Sequence, residues 1–173
     1  VAVFLLLGSN RSNLSGNNTG ANDGQTQTGS STVTADTETQ AAELLYKARN
    51  PYVGDASANG KLLGAIAKAR PDSVFASLSY KTELQTSEEP YEFHFLLETV
   101  LDEDLSVTAV LMLALTDNLG EVQWYGTDEQ IISYVDIDRA QSLLGIDNLK
   151  AYAESPEKVR ELLKLVAQMD MEN

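Results

Sequence analysis

The sequence contains no cysteine, so disulfide bonds, thiol catalysis, zinc-ribbon sites and iron–sulfur clusters are excluded at once. Histidine and tryptophan each occur once, and proline only four times in 173 residues. Basic residues are scarce: 12 Lys and Arg stand against 26 Asp and Glu, a formal charge of −14. A field of that sign repels phosphate backbones and anionic lipid, which excludes nucleic-acid binding as a function class. The usual catalytic and nucleotide-binding motifs are missing as well, with no GxGxxG, P-loop, GxSxG or HExxH anywhere in the chain.

What is present changes character along the chain. Residues 1–7 read VAVFLLL, and since a membrane-spanning helix needs about 20 apolar residues, they are expected to be the end of a signal or membrane-anchor segment. Residues 8–36 are built from Ser, Asn, Thr, Gly and Gln, with Leu14 and Val33 the only large apolar side chains. Such a segment cannot offset its own ordering entropy, so the expectation is a disordered tether with a reach of roughly 30 Å. Its sequons at Asn10, Asn13 and Asn17 are what this composition generates by chance. Residues 37–173 remain as one folded domain, a common single-domain size.

Within that domain, residues 37–49 place acids early, a base late and Leu44, Leu45 and Ala48 on one face, an amphipathic helix that Asn50-Pro51 stops. Gly54 and Asp55 then offer a turn and an N-cap for a second, shorter helix with the stripe Leu62, Leu63, Ile66, weakened by Gly60 and Gly64. Two alternating runs follow, one with Leu78, Tyr80, Thr82 and Leu84 on a common face and one with Tyr91, Phe93, Phe95 and Leu97. They predict a hairpin. Residues 105–119 are apolar nearly all round and predict a buried central helix. EVQWY at 121–125 and IISYVDI at 131–137 predict a second hairpin, and 138–145 a short helix. Ser155-Pro156-Glu157 opens a last helix over 156–168, whose stripe Val159, Leu162, Leu163, Val166 is expected to bury against the sheet. The sum is an α+β domain, a mainly antiparallel four-stranded sheet of two hairpins with about five helices in the order ααββαββαα.

Three segments carry a resemblance: KARNPYVGDASANGKLL after Tyr46, LQTSEEPY at 84–91 and YAESPEKVRELL at 152–163. They resemble a family of Gram-positive extracytoplasmic domains catalogued as the domain of unknown function numbered forty-eight twenty-five, over most of residues 41–166. The resemblance implies a domain carried by secreted lipoproteins and by membrane-bound receptor-like metallopeptidases. It brings no catalytic residue, cofactor or substrate. Where a lipoprotein has a lipid-modified cysteine after a small residue, this chain reads Leu6-Leu7-Gly8-Ser9, and Ser9 cannot carry a thioether-linked lipid.

Chemistry-bearing candidates are few. His94 stands between Phe93 and Phe95, hence on the face opposite the aromatic row beside Glu92, and any Ser/His/Asp arrangement would need it as base. A partly exposed strand histidine is the expectation. The run Asp102-Glu103-Asp104 suits the start of a helix better than a cation. Asp136-x-Asp138 resembles the opening of a calcium loop, but Gln141 and Asp147 occupy the glycine and glutamate positions. Glu88, Glu89 and Glu92 read as turn carboxylates in solvent rather than an acid/base pair. In PYVGD each residue has a backbone task, with Tyr52 and Val53 expected to pin the connection into the core, while Tyr52 and Asp55 are candidates to meet a partner. Of Trp124 and Tyr125 one must face the core, and the other is free to join a recognition patch. No metal or cofactor is expected, so a chelator should leave the melting temperature unchanged. The leading expectation is a non-catalytic extracytoplasmic module, tethered or secreted, that binds a peptide, protein or envelope component. The alternative is an Asp/Glu hydrolase or metal-assisted enzyme.

Overall fold

A computed structural model describes residues 30–100 and 104–172, with side chains described from 36 to 100 and from 104 to 169. The apolar run 1–7, most of the tether, and Asp102 and Glu103 therefore lie outside the described residues. In chain order the elements are α1 (Ser30–Lys47), α2 (Ala56–Ala69), α3 (Val74–Ser77), β1 (Tyr80–Gln85), β2 (Tyr91–Leu97), α4 (Ser106–Leu115), β3 (Leu119–Tyr125), β4 (Ile131–Asp136), α5 (Ile137–Leu144), a 3-10 turn (Leu149–Ala153) and α6 (Pro156–Glu172). The α+β class holds. No helix among the described residues is long and apolar enough to cross a membrane.

The sequence of α4, SVTAVLMLAL, has no polar face to show to water, and all ten of its residues are buried. Everything else is arranged around it. On one side lies the sheet, ordered β1-β2-β3-β4. On the other sides α4 meets α2, α5, α6 and the 3-10 turn. The β1–β2 and β3–β4 pairings are antiparallel hairpins, as the alternation implied, but β2 and β3 lie side by side in parallel, so the sheet is mixed. A parallel pair needs a crossover connection, and α4 supplies it. Alternation fixes which side chains share a face of each strand, and Phe93, Phe95, Val122 and Trp124 do share the buried one.

The structure departs from the sequence reading at several points, among them the central helix expected over 105–119, which ends at Leu115 so that Leu119 opens β3, and the last helix, which runs on from 168 to Glu172. Helix α1 starts at Ser30, inside the stretch read as tether, because Ser30 to Asp36 holds no Gly or Pro to stop a helix from propagating backwards. The four-residue helix α3, too short to show periodicity, was not expected. Helix α6 buries Val159, Leu162 and Val166 as its stripe implied, yet its main neighbours are α1, the 3-10 turn, α4 and α5 rather than the sheet. The sheet's buried face is already taken by α4. Helix α5 ends on Gly145, whose φ of 64° is the left-handed cap conformation in which its N–H returns to the last turn.

Candidate functional site

The PYVGD connection is held by a buried amide cluster. Asn50 and Asn59 are 0% and 4% exposed, and the Asn50 side-chain amide donates to Asn59 Oδ1 at 2.7 Å. Asn59 in turn donates to the Val53 carbonyl at 2.5 Å, the Tyr52 N–H donates to Asn50 Oδ1 at 3.0 Å, and the Val53 N–H donates to Asn118 Oδ1 at 2.7 Å. Val53 is buried, but Tyr52, expected to pin the loop alongside it, is 51% exposed. The backbone of Tyr52 is anchored and its ring is left to lie over Gly54, where any Cβ would collide with it. Asp55 caps α2, its Oδ1 accepting from the Ala58 N–H at 2.9 Å.

Trp124 is 1% exposed and part of the core, so it is no stacking platform. Tyr125, its neighbour, faces out with the polar row of the sheet. Register places Lys81, Glu83 and Gln85 of β1, Glu92 and His94 of β2, and Glu121, Gln123 and Tyr125 of β3 on this outer face. His94 Nε2 donates to Glu92 Oε2 at 2.7 Å, and the side chains remain 15% and 21% exposed. Gln123 donates to Glu121 Oε1 at 2.6 Å and to Glu92 Oε2 at 3.2 Å, and accepts from the Tyr125 hydroxyl. Desolvation first, then the charges of Glu92, Glu121 and Glu83, raise the Tyr125 pKa. The face is therefore acidic. Among the described residues no group of three or more His, Cys, Asp or Glu is arranged to hold a metal ion. Asp104 accepts from the Ser106 N–H and hydroxyl at the head of α4, and Asp136 caps α5 by accepting from the Arg139 N–H at 2.7 Å, so both serve helix starts.

The other feature is a groove between α2 and β1, an open cavity of about 620 Å³. Gly60, Leu63, Gly64 and Ala67 line it from the helix, Tyr80, Thr82 and Leu84 from the strand, together with Phe75 and Phe93. A Cβ added at Gly60 or Gly64 would meet nothing within 4 Å. An interior glycine weakens a helix by about 0.5–1 kcal/mol relative to alanine, so α2 gives up stability at two positions where no local contact demands it. What the glycines leave is room over the helix. Gly60→Ala and Gly64→Ala should each raise the unfolding free energy in urea by about 0.5–1 kcal/mol. A loss of stability would mean that the backbone itself requires glycine there.

The residue that sequence reasoning missed altogether is Lys150. Its Nζ donates to the carbonyls of Leu113, Thr116 and Leu119 at 2.5, 2.5 and 3.0 Å, closing the end of α4 onto the start of β3. Burial pushes its pKa down to about 8, while the Asp117 carboxylate acts the other way. In the unfolded chain a lysine titrates near 10.4, so between about pH 8 and pH 10 the unfolded state keeps a proton that the native state has shed. Stability contributed by this group therefore rises with pH in that window. Against a Lys150→Met variant, the parent should gain on the order of 1 kcal/mol per pH unit there, read by urea denaturation. A pH-independent difference would contradict the assignment.

Of the four candidate contact residues, Trp124 is lost to the core, Tyr125 sits on the acidic face, and Tyr52 and Asp55 lie at the α2 entry, where Ala56 begins the groove. The described residues thus form an α+β domain with a mixed sheet, an acidic open face and an apolar groove at its β1 edge. A family model matches residues 45–135, and the chain belongs to that family, described as a domain of unknown function (DUF4825). No curated protein and no solved structure matches it.

Proposed function

We propose that the chain is a non-catalytic binding module, working outside the cytoplasm in tethered or secreted form, that takes a peptide, protein or cell-envelope component. The observation that carries the reading is the groove between α2 and β1, apolar, open, and within the size range of ligand sites. The competing class, an Asp/Glu hydrolase, would rest on Glu92 and His94. That pair does not line the groove, and Glu92 shares its carboxylate with Gln123. Location outside the cytoplasm is supported by the apolar run 1–7 and the polar composition of 8–36. Protease added to intact cells that produce the protein from its own gene tests it: digestion of the domain is the expected result, and full protection until the cells are lysed would overturn it.

The binding reading is tested by selecting random displayed decapeptides on the full chain, then measuring synthetic copies by fluorescence anisotropy and mass spectrometry. Saturable binding with the peptides recovered intact is the expected result. Failure to select any peptide, or cleavage of those selected, would overturn it.

A further inference from the structure

The two edges of the sheet are finished differently. On β4 the outward carbonyl of Tyr134 accepts from Arg139 Nη1 at 2.6 Å, and α5 packs against the strand. On β1 the Glu98 N–H donates to the Ser79 carbonyl at 3.0 Å, which sets the phase of the ladder. With Ser79 opposite Glu98, residues 81, 83 and 85 bond to β2, while the N–H and C=O groups of Tyr80, Thr82 and Leu84 point away from it. Among the described residues β1 pairs with β2 alone. The same three residues line the groove with their side chains.

We propose that β1 is a docking edge for an extended acidic peptide, which adds a fifth strand to the sheet and lays an apolar side chain into the space over Gly60 and Gly64. This rests on the binding reading above and specifies its ligand. An unpaired row of alternating donors and acceptors is complementary to another extended backbone, and the hollow beside it takes the side chains that such a strand turns inward. The sign of the ligand follows from the local charge. In a chain of net charge −14, α2 carries Lys61 and Lys68, both exposed, and no carboxylate within Ala56–Ala69, whereas Lys81 of β1 lies on the other face of the sheet and is paired with Glu98 at 3.4 Å. A second copy of the chain would bring a full charge of −14 and meet repulsion over its whole surface, whereas a short peptide meets chiefly the charges at this edge, salt screening the rest beyond about 8–10 Å.

Thr82→Pro is the direct test, because the lost N–H is one of the outward set and the β1–β2 ladder keeps its bonds. Gly64→Leu fills the hollow from the helix side, and the Lys61→Glu, Lys68→Glu double variant reverses the charge. With the decapeptides selected on the parent chain, each single variant should weaken binding about tenfold or more in a chain that still melts cooperatively, Gly64→Leu at a melting temperature no lower than the parent's. The double variant should weaken it and flatten its salt dependence. If Thr82→Pro disturbs the fold, Gly64→Leu and the double variant decide. Parent-like affinity in folded Thr82→Pro would overturn strand addition while leaving a binding module. Selection of no peptide removes both readings. Slow exchange of the Tyr80, Thr82 and Leu84 amides in the peptide-free chain would overturn the proposal too. Concentration-dependent slowing would assign the edge to a second copy, and concentration-independent slowing to another part of the chain.

Discussion

Trp124→Ala is expected to lower the unfolding free energy by about 3–5 kcal/mol, since it deletes a large buried aromatic and the surroundings collapse only partly into the space. Trp124 is 1% exposed, stands opposite Phe95 across the parallel β2–β3 pair and opposite Ser133 on β4, and shares its face with Val122. That loss is a large share of the 5–15 kcal/mol that holds a domain of this kind together, roughly speaking. Urea denaturation followed by far-ultraviolet circular dichroism reads it directly. A stability equal to the parent's, with peptide binding lost instead, would return Trp124 to the role of a recognition platform.

Leu162→Ala should cost about 2–5 kcal/mol by the same mechanism. Leu162 is fully buried on α6, which packs on α1, α4, α5 and the 3-10 turn, so the cavity opens where several elements meet. Limited proteolysis should therefore speed up throughout the domain rather than at the C-terminus alone. Cuts confined to α6, with an unchanged melting temperature, would show that the helix is a detachable appendage.

These two residues mark what the sequence does and does not reveal. Val159, Leu162 and Val166 repeat at helical spacing behind a Pro-led start, so burial of that face was legible. The surface receiving it was not, because a stripe records that a face is covered and carries no information on the cover. Strand alternation worked in the same way. It put Phe93 and Phe95 on one face and Glu92 and His94 on the other, and the His94–Glu92 bond of 2.7 Å follows from that shared face. It was silent on the parallel β2–β3 pairing, which depends on the path of α4, and on which of Trp124 and Tyr125 turns inward.

The candidate site was the least legible part, for a physical reason. Gly60 and Gly64 look like weaknesses in a helical pattern, and only the position of β1, some twenty residues further on, turns the missing side chains into a groove. The open edge has no sequence signature either, since Tyr80, Thr82 and Leu84 differ from Lys81 and Glu83 in which way their backbone groups point. Lys150 reads as one more surface lysine until the ends of α4 and β3 are brought to it from more than thirty positions away. Tyr52 was misjudged because the anchoring of its loop falls to Asn50, Asn59 and Asn118 rather than to its own ring.

Amide hydrogen exchange of β1, resolved residue by residue by nuclear magnetic resonance on the full chain with and without a saturating selected decapeptide, tests the account most directly. Tyr80, Thr82 and Leu84 are predicted to exchange fast in the free chain and to slow by about tenfold or more when peptide is bound, while Lys81 and Glu83 stay slow throughout. Saturation by the peptide with the three outward amides still exchanging at their free rates would contradict it.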